Sequence, residues 1–291
     1  MLERLTRFRR DLHRIPELDF DLPETTAYVK RVLETLDCEI IFPAGVGLCA
    51  WFDAGKDASV AFRTDMDALP ISEQTGAAFA SVHPGKMHAC GHDGHMAMML
   101  EFAHYVNDVR AQLTKNVLLV FQPAEETTGG ARLICESGIF AEKQVEAIWG
   151  CHLWPDLPQG IIASRPGPLL AASREVTVTF EGKSAHIAKS EEGADAVLAA
   201  ARFVTGADTL LSDLRKTEGP WCTLKFGHLT AGTVRNAIAA TAKLEGSLRV
   251  FSDAAISKAW QGMEGLARQI SAETGVTISI APAAGYPAVI N

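Results

Sequence analysis

Nine consecutive residues, Met87-His88-Ala89-Cys90-Gly91-His92-Asp93-Gly94-His95, hold one thiol and three imidazoles. Further along come Gln122-Pro123-Ala124-Glu125-Glu126 and then Gly150-Cys151-His152-Leu153-Trp154-Pro155. Thiolate, imidazole and carboxylate are the side chains that bind a borderline divalent metal. They recur at three points, each beside or just after an apolar run, and the pattern suggests a metal-dependent hydrolase.

Adjacent carboxylates in an apolar neighbourhood repel each other and resist desolvation unless a cation offsets their charge. An isolated Glu-Glu is usually a solvated loop pair, but the buried run and Gln-Pro-Ala ahead of Glu125 and Glu126 argue for a site. The division of labour expected here puts Glu126 on the metal and Glu125 as general base. Glu125 would take a proton from a metal-bound water and pass it to the leaving amine. Cys90 alone would read as a small core residue. With His92 two positions on, across Gly91, it reads as half of a ligand pair, and His152 is a further candidate. His88 and His95 are weaker candidates, one of which could orient a ligand. Asp65 and Asp67, after a strand, could do the same or could simply be turn residues. Cys151 reads as buried, and His13, His83 and His104 receive no role. Towards the C-terminus, Arg249 could clamp a carboxylate while His186 and Asn236 donate to a developing oxyanion, though spacing alone does not single these three out.

These residues need a scaffold. Helices are expected over 2–14 and from about Pro23 to Leu36, with Pro in the first turn of the second. Leu48–Phe52 and Ser59–Arg63 read as strands, His95–Val109 as a helix and Val117–Phe121 as a buried parallel strand. Gly129–Ser137 is helical, and Ala147–Leu153 is a strand closed by His152. Alternating strands and helices predict an α/β sheet covered on both faces, with Cys90 and His92 in a loop before a helix. Ligands in such sheets bind outside the carboxyl ends of the strands. Beyond Ser173 the pattern changes to strict alternation at Glu175–Glu181, a long helix at Ala194–Leu214 and strands at Cys222–His228 and Thr241–Phe251. A helix capped by Ser252 runs to Thr274 and stops at Gly275, and Val276–Ala281 is a last strand. The order β-α-β-β-α-β is ferredoxin-like. The predicted domains are therefore 1–173, continued by 283–291, and an inserted α+β domain at 174–282.

With 291 residues, two domains are the natural expectation. The chain is 47% hydrophobic and 21% charged, as in globular proteins. A net charge of -8 without a basic block argues against nucleic acid as a partner. No segment is long and apolar enough for a membrane span, and the N-terminus lacks the apolar core of a secretory signal. The six cysteines are dispersed without paired spacing, which fits a reducing cytoplasm.

Taken together, Arg9-Arg10-Asp11-Leu12-His13-Arg14-Ile15-Pro16-Glu17, Asp65-Met66-Asp67-Ala68-Leu69-Pro70, His88-Ala89-Cys90-Gly91-His92-Asp93, Gln122-Pro123-Ala124-Glu125-Glu126 and Gly150-Cys151-His152-Leu153-Trp154-Pro155 resemble one enzyme family. It is the aminoacylase and hippurate-hydrolase branch of the dinuclear metallopeptidases, which includes indole-acetyl-amino-acid hydrolases and N-acetyldiaminopimelate deacetylases. The resemblance implies a zinc-exopeptidase-like doubly wound sheet with an inserted ferredoxin-like lid, and hydrolysis of N-acyl amino acids to an acid and a free amino acid. It implies two divalent ions (zinc, manganese or nickel) on Cys90, His92, Glu126 and His152, with Glu125 as base. It also implies substrate contacts from His186, Asn236 and Arg249, and a homodimer through the lid, whose His serves the partner's site.

Two departures stand out. The family's proline shortly after the lid histidine is replaced here by His186-Ile187-Ala188-Lys189-Ser190. The family also returns to the catalytic domain after the lid for roughly another hundred residues, with one further metal-binding His, whereas this chain stops at Asn291. A non-catalytic ligand-binding or dimerisation protein derived from such a hydrolase is therefore the alternative expectation. A closed structural zinc site of Cys90, His92 and His152 is a third, against which the carboxylate pair argues.

Overall fold

The run Asn116-Val117-Leu118-Leu119-Val120-Phe121-Gln122 is buried at every position, so both of its faces need cover. The computed structural model describes residues 1–127, 129–281 and 285–291 and divides into two units, Met1–Gln159 and Gly160–Asn291. In the first, the elements in order are α1 (Leu2–His13), α2 (Pro23–Leu33), β1 (Glu39–Ile41), β2 (Leu48–Phe52), β3 (Ser59–Asp65) and α3 (His92–Asp108). They are followed by β4 (Asn116–Gln122), α4 (Gly130–Glu136), α5 (Ile139–Glu142) and β5 (Val145–Gly150). The sheet order is β1-β2-β4-β3-β5, with β4 at the centre. β3 runs parallel to β4 and β5, and β2 is antiparallel to β4.

Successive side chains of β4 point to opposite faces. Val117, Leu119 and Phe121 pack with Phe8, Leu12, Val29, Leu33, Met96 and Leu100 of α1, α2 and α3. Leu118 and Val120 pack with Cys49, Ala61, Ile134 and Ile139 on the other face. Because β3, β4 and β5 are parallel, Asp65, Gln122 and Gly150 end at one edge of the sheet. The loops leaving that edge carry the candidate chemistry.

Several boundaries differ from expectation by a few residues, and two of them bear on the site. α3 begins at His92, not His95, because Gly91 sits in the left-handed region (φ 89) and caps the helix, a conformation glycine takes without a Cβ penalty. His92 and Asp93 therefore belong to the helix's first turn and not to a loop. The apolar periodicity starts only at Met96, so pattern alone places the start late. β5 ends at Gly150, so His152 lies beyond the strand instead of closing it.

In the second unit the order is β6 (Pro168–Leu170), β7 (Ala172–Glu181), α6 (Ala196–Glu218), β8 (Thr223–Ala231), β9 (Thr241–Val250), α7 (Asp253–Thr274), β10 (Thr277–Ala281) and β11 (Val289–Ile290). β7 to β10 form an antiparallel sheet in the order β10-β7-β9-β8, the ferredoxin-like β-α-β-β-α-β arrangement. Val176, Val178 and Phe180 of β7 pack against Phe203 and Leu211 of α6 and Met263 and Ile270 of α7. Asp195 caps α6, and Ser252 caps α7 by accepting from the Ala255 amide at 3.0 Å. Residues 160–173 fall within this second unit, where β6 pairs with β11. The domain boundary expected at 282/283 lies outside the described residues.

α1 is tied to α3 by charge as well as by packing. Arg4 forks onto both Glu101 oxygens at 2.7 Å. Arg9 Nε and His13 Nδ1 both reach Asp93 Oδ2 at 2.8 Å, and His13 Nε2 lies 3.2 Å from Glu73. The Asp93 hydrogen bond, partly opposed by burial, raises the His13 pKa above its ordinary value. Charged His13 thus favours the fold at pH below about 6.5, and the benefit fades as pH rises through its folded-state pKa. His13→Gln should lower stability more at about pH 6 than at about pH 9 in denaturant unfolding; a pH-independent loss would contradict this coupling.

Candidate metal centre

Asp67, two residues past the end of β3 and fully buried, holds two loops at once. Its Oδ1 accepts from the Glu125 amide at 2.9 Å and its Oδ2 from the Glu126 amide at 3.0 Å. Its backbone carbonyl accepts from His92 Nδ1 at 2.7 Å. The glutamates follow Ala124, a non-glycine residue at φ 51, a conformation costing roughly 1–2 kcal/mol. That turn is held by the Ala124 amide donating to Asp19 O at 3.1 Å and by the Gly129 amide donating to Ala124 O at 3.1 Å. Backbone strain that the surroundings enforce is common at functional sites, and here it aims both glutamates towards His92.

Neutral His92, the form that binds a metal, has its proton on Nδ1 and presents a lone pair on Nε2. That atom is buried without a hydrogen-bond partner among the described residues, and so is Glu126 Oε1. They lie 3.7 Å apart, with Asp65 Oδ2 3.7 Å and Glu125 Oε2 3.9 Å from the same nitrogen. Three carboxylates facing an acceptor lone pair is an unfavourable arrangement unless a cation lies among them. Cys90 Sγ and His152 Nε2 are 3.4 Å apart, and the His152 Nδ1 proton is donated to Leu153 O at 2.6 Å. Two ligands on one tetrahedral zinc are separated by roughly 3.4–3.6 Å, from bond lengths near 2.1–2.3 Å. One potential donor atom from each of Cys90, His92 and His152 lies within 4.8 Å of the others, and the same holds for His92, Glu125 and Glu126. His92 belongs to both groups. The donor set therefore fits a divalent ion. Asp65, His92 and His95 also cluster, but both ring nitrogens of His95 are engaged, by Asp65 at 2.7 Å and by the Leu153 amide at 2.9 Å.

The electrostatics follow from burial and crowded negative charge. Burial, then the adjacent Glu126, push the Cys90 thiol up to about 12; a bound cation would reverse that preference. Burial raises the Glu125 carboxyl above its ordinary value, with Glu126 adding to it and Arg63 opposing. Asp65 is also driven up by burial, but the His95 hydrogen bond and the Arg63 charge outweigh it and hold the carboxyl well below the usual range. Burial takes the His88 imidazole down to about 4, and neither of its ring nitrogens has a partner among the described residues.

Cys90, His92, Glu125, Glu126 and His152 thus come together at the sheet edge, with Asp67 hydrogen-bonded to three of them and Asp65 3.7 Å from His92 Nε2. The other expected site residues lie in the second unit. There His186 and Asn236 are neighbours, with the Ile187 amide donating to Asn236 O at 3.1 Å. Arg249 is near the far end of β9 and donates to Ser247, eight residues beyond Thr241 or about 26 Å of strand. The structure does not gather these three within the unit. Sequence reasoning missed Arg63, which donates to Gln122 at 2.8 Å and to Asp65 at 2.9 Å; its i, i+2 spacing from Asp65 on one strand face was the available signal. It also missed Arg9 and His13, whose i, i+4 spacing puts them on one face of α1.

Asp67→Asn should weaken metal binding about 10–100-fold, because an amide NH2 would face one of the two backbone N–H groups it now accepts. Titration against a chromophoric chelator checks this, and unchanged affinity would contradict the bridging role.

A family model described as Peptidase family M20/M25/M40 matches residues 61–239. N-acetyldiaminopimelate deacetylase of Streptococcus gordonii is 41% identical over 255 residues, covering 84% of this chain and 66% of that protein. The enzyme of the same name from Listeria monocytogenes is 36% identical, covering 100% of this chain and 78% of its own length. The chain therefore spans just under two-thirds of the streptococcal relative and more of the listerial one. The crystal structure of the Bacillus subtilis YXEP protein, described as a dinuclear metal-binding peptidase of family M20, superposes with a TM-score of 0.83 at 36% identity, covering 99% of this chain and 75% of that one. On sequence and fold alike, the chain belongs to peptidase family M20/M25/M40.

Proposed function

We propose that this chain carries the catalytic machinery of a metal-dependent amidohydrolase that cleaves N-acyl amino acids to a carboxylic acid and a free amino acid. The observation that carries the reading is the buried His92 Nε2, without a hydrogen-bond partner among the described residues and facing Glu126, Glu125 and Asp65. Cys90, His92, Glu126 and His152 would hold a divalent ion, and two ions are expected in all. Thiolate favours zinc, while the family resemblance allows manganese or nickel. Such an ion supplies Lewis acidity, polarising the acyl carbonyl and lowering the pKa of water from 15.7 to about 7.

Glu125 does the proton work. Burial raises its pKa, which brings a carboxylate closer to the ideal for a base at neutral pH. It takes the proton of the attacking water and delivers it to the amide nitrogen as the C–N bond breaks. Asp67 fixes its backbone, so its reach is set by the fold. Arg249 would clamp the substrate carboxylate, and His186 and Asn236 would donate to the developing oxyanion. Their separation within the second unit supports a homodimer in which His186 serves the partner's site. The N-acetyldiaminopimelate deacetylase names of the relatives support an acetylated amino acid as substrate. No helix among the described residues is long and apolar enough to cross a membrane. A cytoplasmic location belongs to the same reading, supported by six free cysteines.

Metal-loaded protein assayed with acetyl- and benzoyl-amino acids should release free amino acid. Glu125→Gln should lower turnover about 10²–10⁴-fold with bound metal unchanged. A variant that turns over at the parent rate would remove Glu125 from the mechanism.

A further inference from the structure

His152 is exposed and lies past the end of β5, yet its ring is held in place. The Leu153 amide donates to His95 Nε2 at 2.9 Å, so the His95 proton sits on Nδ1 and is given to Asp65 Oδ1 at 2.7 Å. Asp65 Oδ2 takes Arg63 at 2.9 Å. On the other side of the same residue, Leu153 O accepts from His152 Nδ1 at 2.6 Å. That bond leaves the His152 Nε2 lone pair towards Cys90 Sγ, 3.4 Å away. The two imidazoles also meet edge to face, with centroids 4.5 Å apart at 64°. The Leu153 side chain seats on glycines of the thiol-bearing segment. A Cβ on Gly94 would come 2.7 Å from Leu153 Cδ1, and one on Gly91 would come 3.4 Å from it.

We infer that His95 is a positioning residue for the metal centre: through the Leu153 backbone it fixes the ring orientation and tautomer of His152. The inference rests on the proposed metal-centre reading, in which His152 is a ligand. Unlike His92, His95 has no free lone pair, since both nitrogens are used, so it is not itself a ligand and acts on the metal through Leu153 and His152. Arg63, Asp65, His95, Leu153 and His152 thus form one line from the rigid strand β3 to a ligand that no regular element carries. Glycine at 94 is part of the same device, because the notch it leaves admits the Leu153 side chain.

The test is metal affinity of the apo protein for Zn²⁺ and Mn²⁺, measured by chelator competition, with the apo melting temperature read in parallel. His95→Asn keeps a donor for Asp65 but loses the acceptor for Leu153, and should weaken binding about 10–100-fold. His95→Gln, whose Oε1 can take the Leu153 amide, should retain more affinity than the Asn variant. Gly94→Ala favours the helix by propensity but crowds Leu153, and should weaken binding with no fall in melting temperature. In a His152→Ala background, His95→Asn should cost nothing further, because its effect passes through that ring. Parental affinity in His95→Asn, or an equal additional loss in the His152→Ala background, would overturn the inference. If instead His152→Ala binds as tightly as the parent, His152 is not a ligand; the metal-centre reading then fails, and this inference fails with it.

Discussion

A lone pair that has nowhere to go organises the first unit. His92 Nε2 is buried, three carboxylate oxygens lie within 4 Å of it, and no hydrogen-bond partner among the described residues reaches it. An unsatisfied buried acceptor costs about 1–3 kcal/mol, and the orphaned Glu126 oxygen adds a second such cost. The surrounding structure enforces the arrangement instead of relieving it. Asp67 locks His92 with its carbonyl and both glutamates with its carboxylate, and Ala124 is kept in a left-handed conformation so that they point inward. A site that stores unfavourable electrostatics in this way is built for a positive partner.

The fold supplies the rigidity this needs. β3 and β4 are parallel and covered by α1, α2 and α3 on one face, and every group of the centre hangs from their carboxyl ends, from the segment leading into α3 and its first turn, or from the segment after β5. Charge is then distributed in layers around the centre. Arg63 neutralises Asp65, to which His95 also donates, while Arg9 and His13 offset Asp93 at the start of α3. Asp67 is satisfied by two backbone amides, and among the described residues Glu125 and Glu126 have no cationic side chain hydrogen-bonded to them. That difference separates the groups that support the site from those free to act in it.

Much of this was legible in the sequence. Thiol, imidazole and carboxylate types at three points beside apolar runs predicted convergence at a sheet edge, and the sheet edge holds them. The β-α-β-β-α-β order of the second unit followed from its alternating strands and capped helices. What escaped was set by backbone conformation and long-range pairing. Gly91 starts α3 before any apolar periodicity is visible, so the pattern alone leaves His92 in a loop. His13 and Arg9 carry no motif of their own and acquire meaning only when α1 packs on α3. Asp67 looked no different from a turn residue, because its three partners come from residues 92, 125 and 126. The wide separation of Arg249 from His186 and Asn236 depends on strand register, which residue types do not encode.

X-ray absorption spectroscopy of the zinc-loaded protein tests the central claim most directly. The account predicts one sulfur scatterer at about 2.3 Å alongside nitrogen and oxygen at about 2.0–2.2 Å, with the sulfur lost in Cys90→Ser. A shell of oxygen and nitrogen alone in the parent protein, indistinguishable from that of Cys90→Ser, would contradict it.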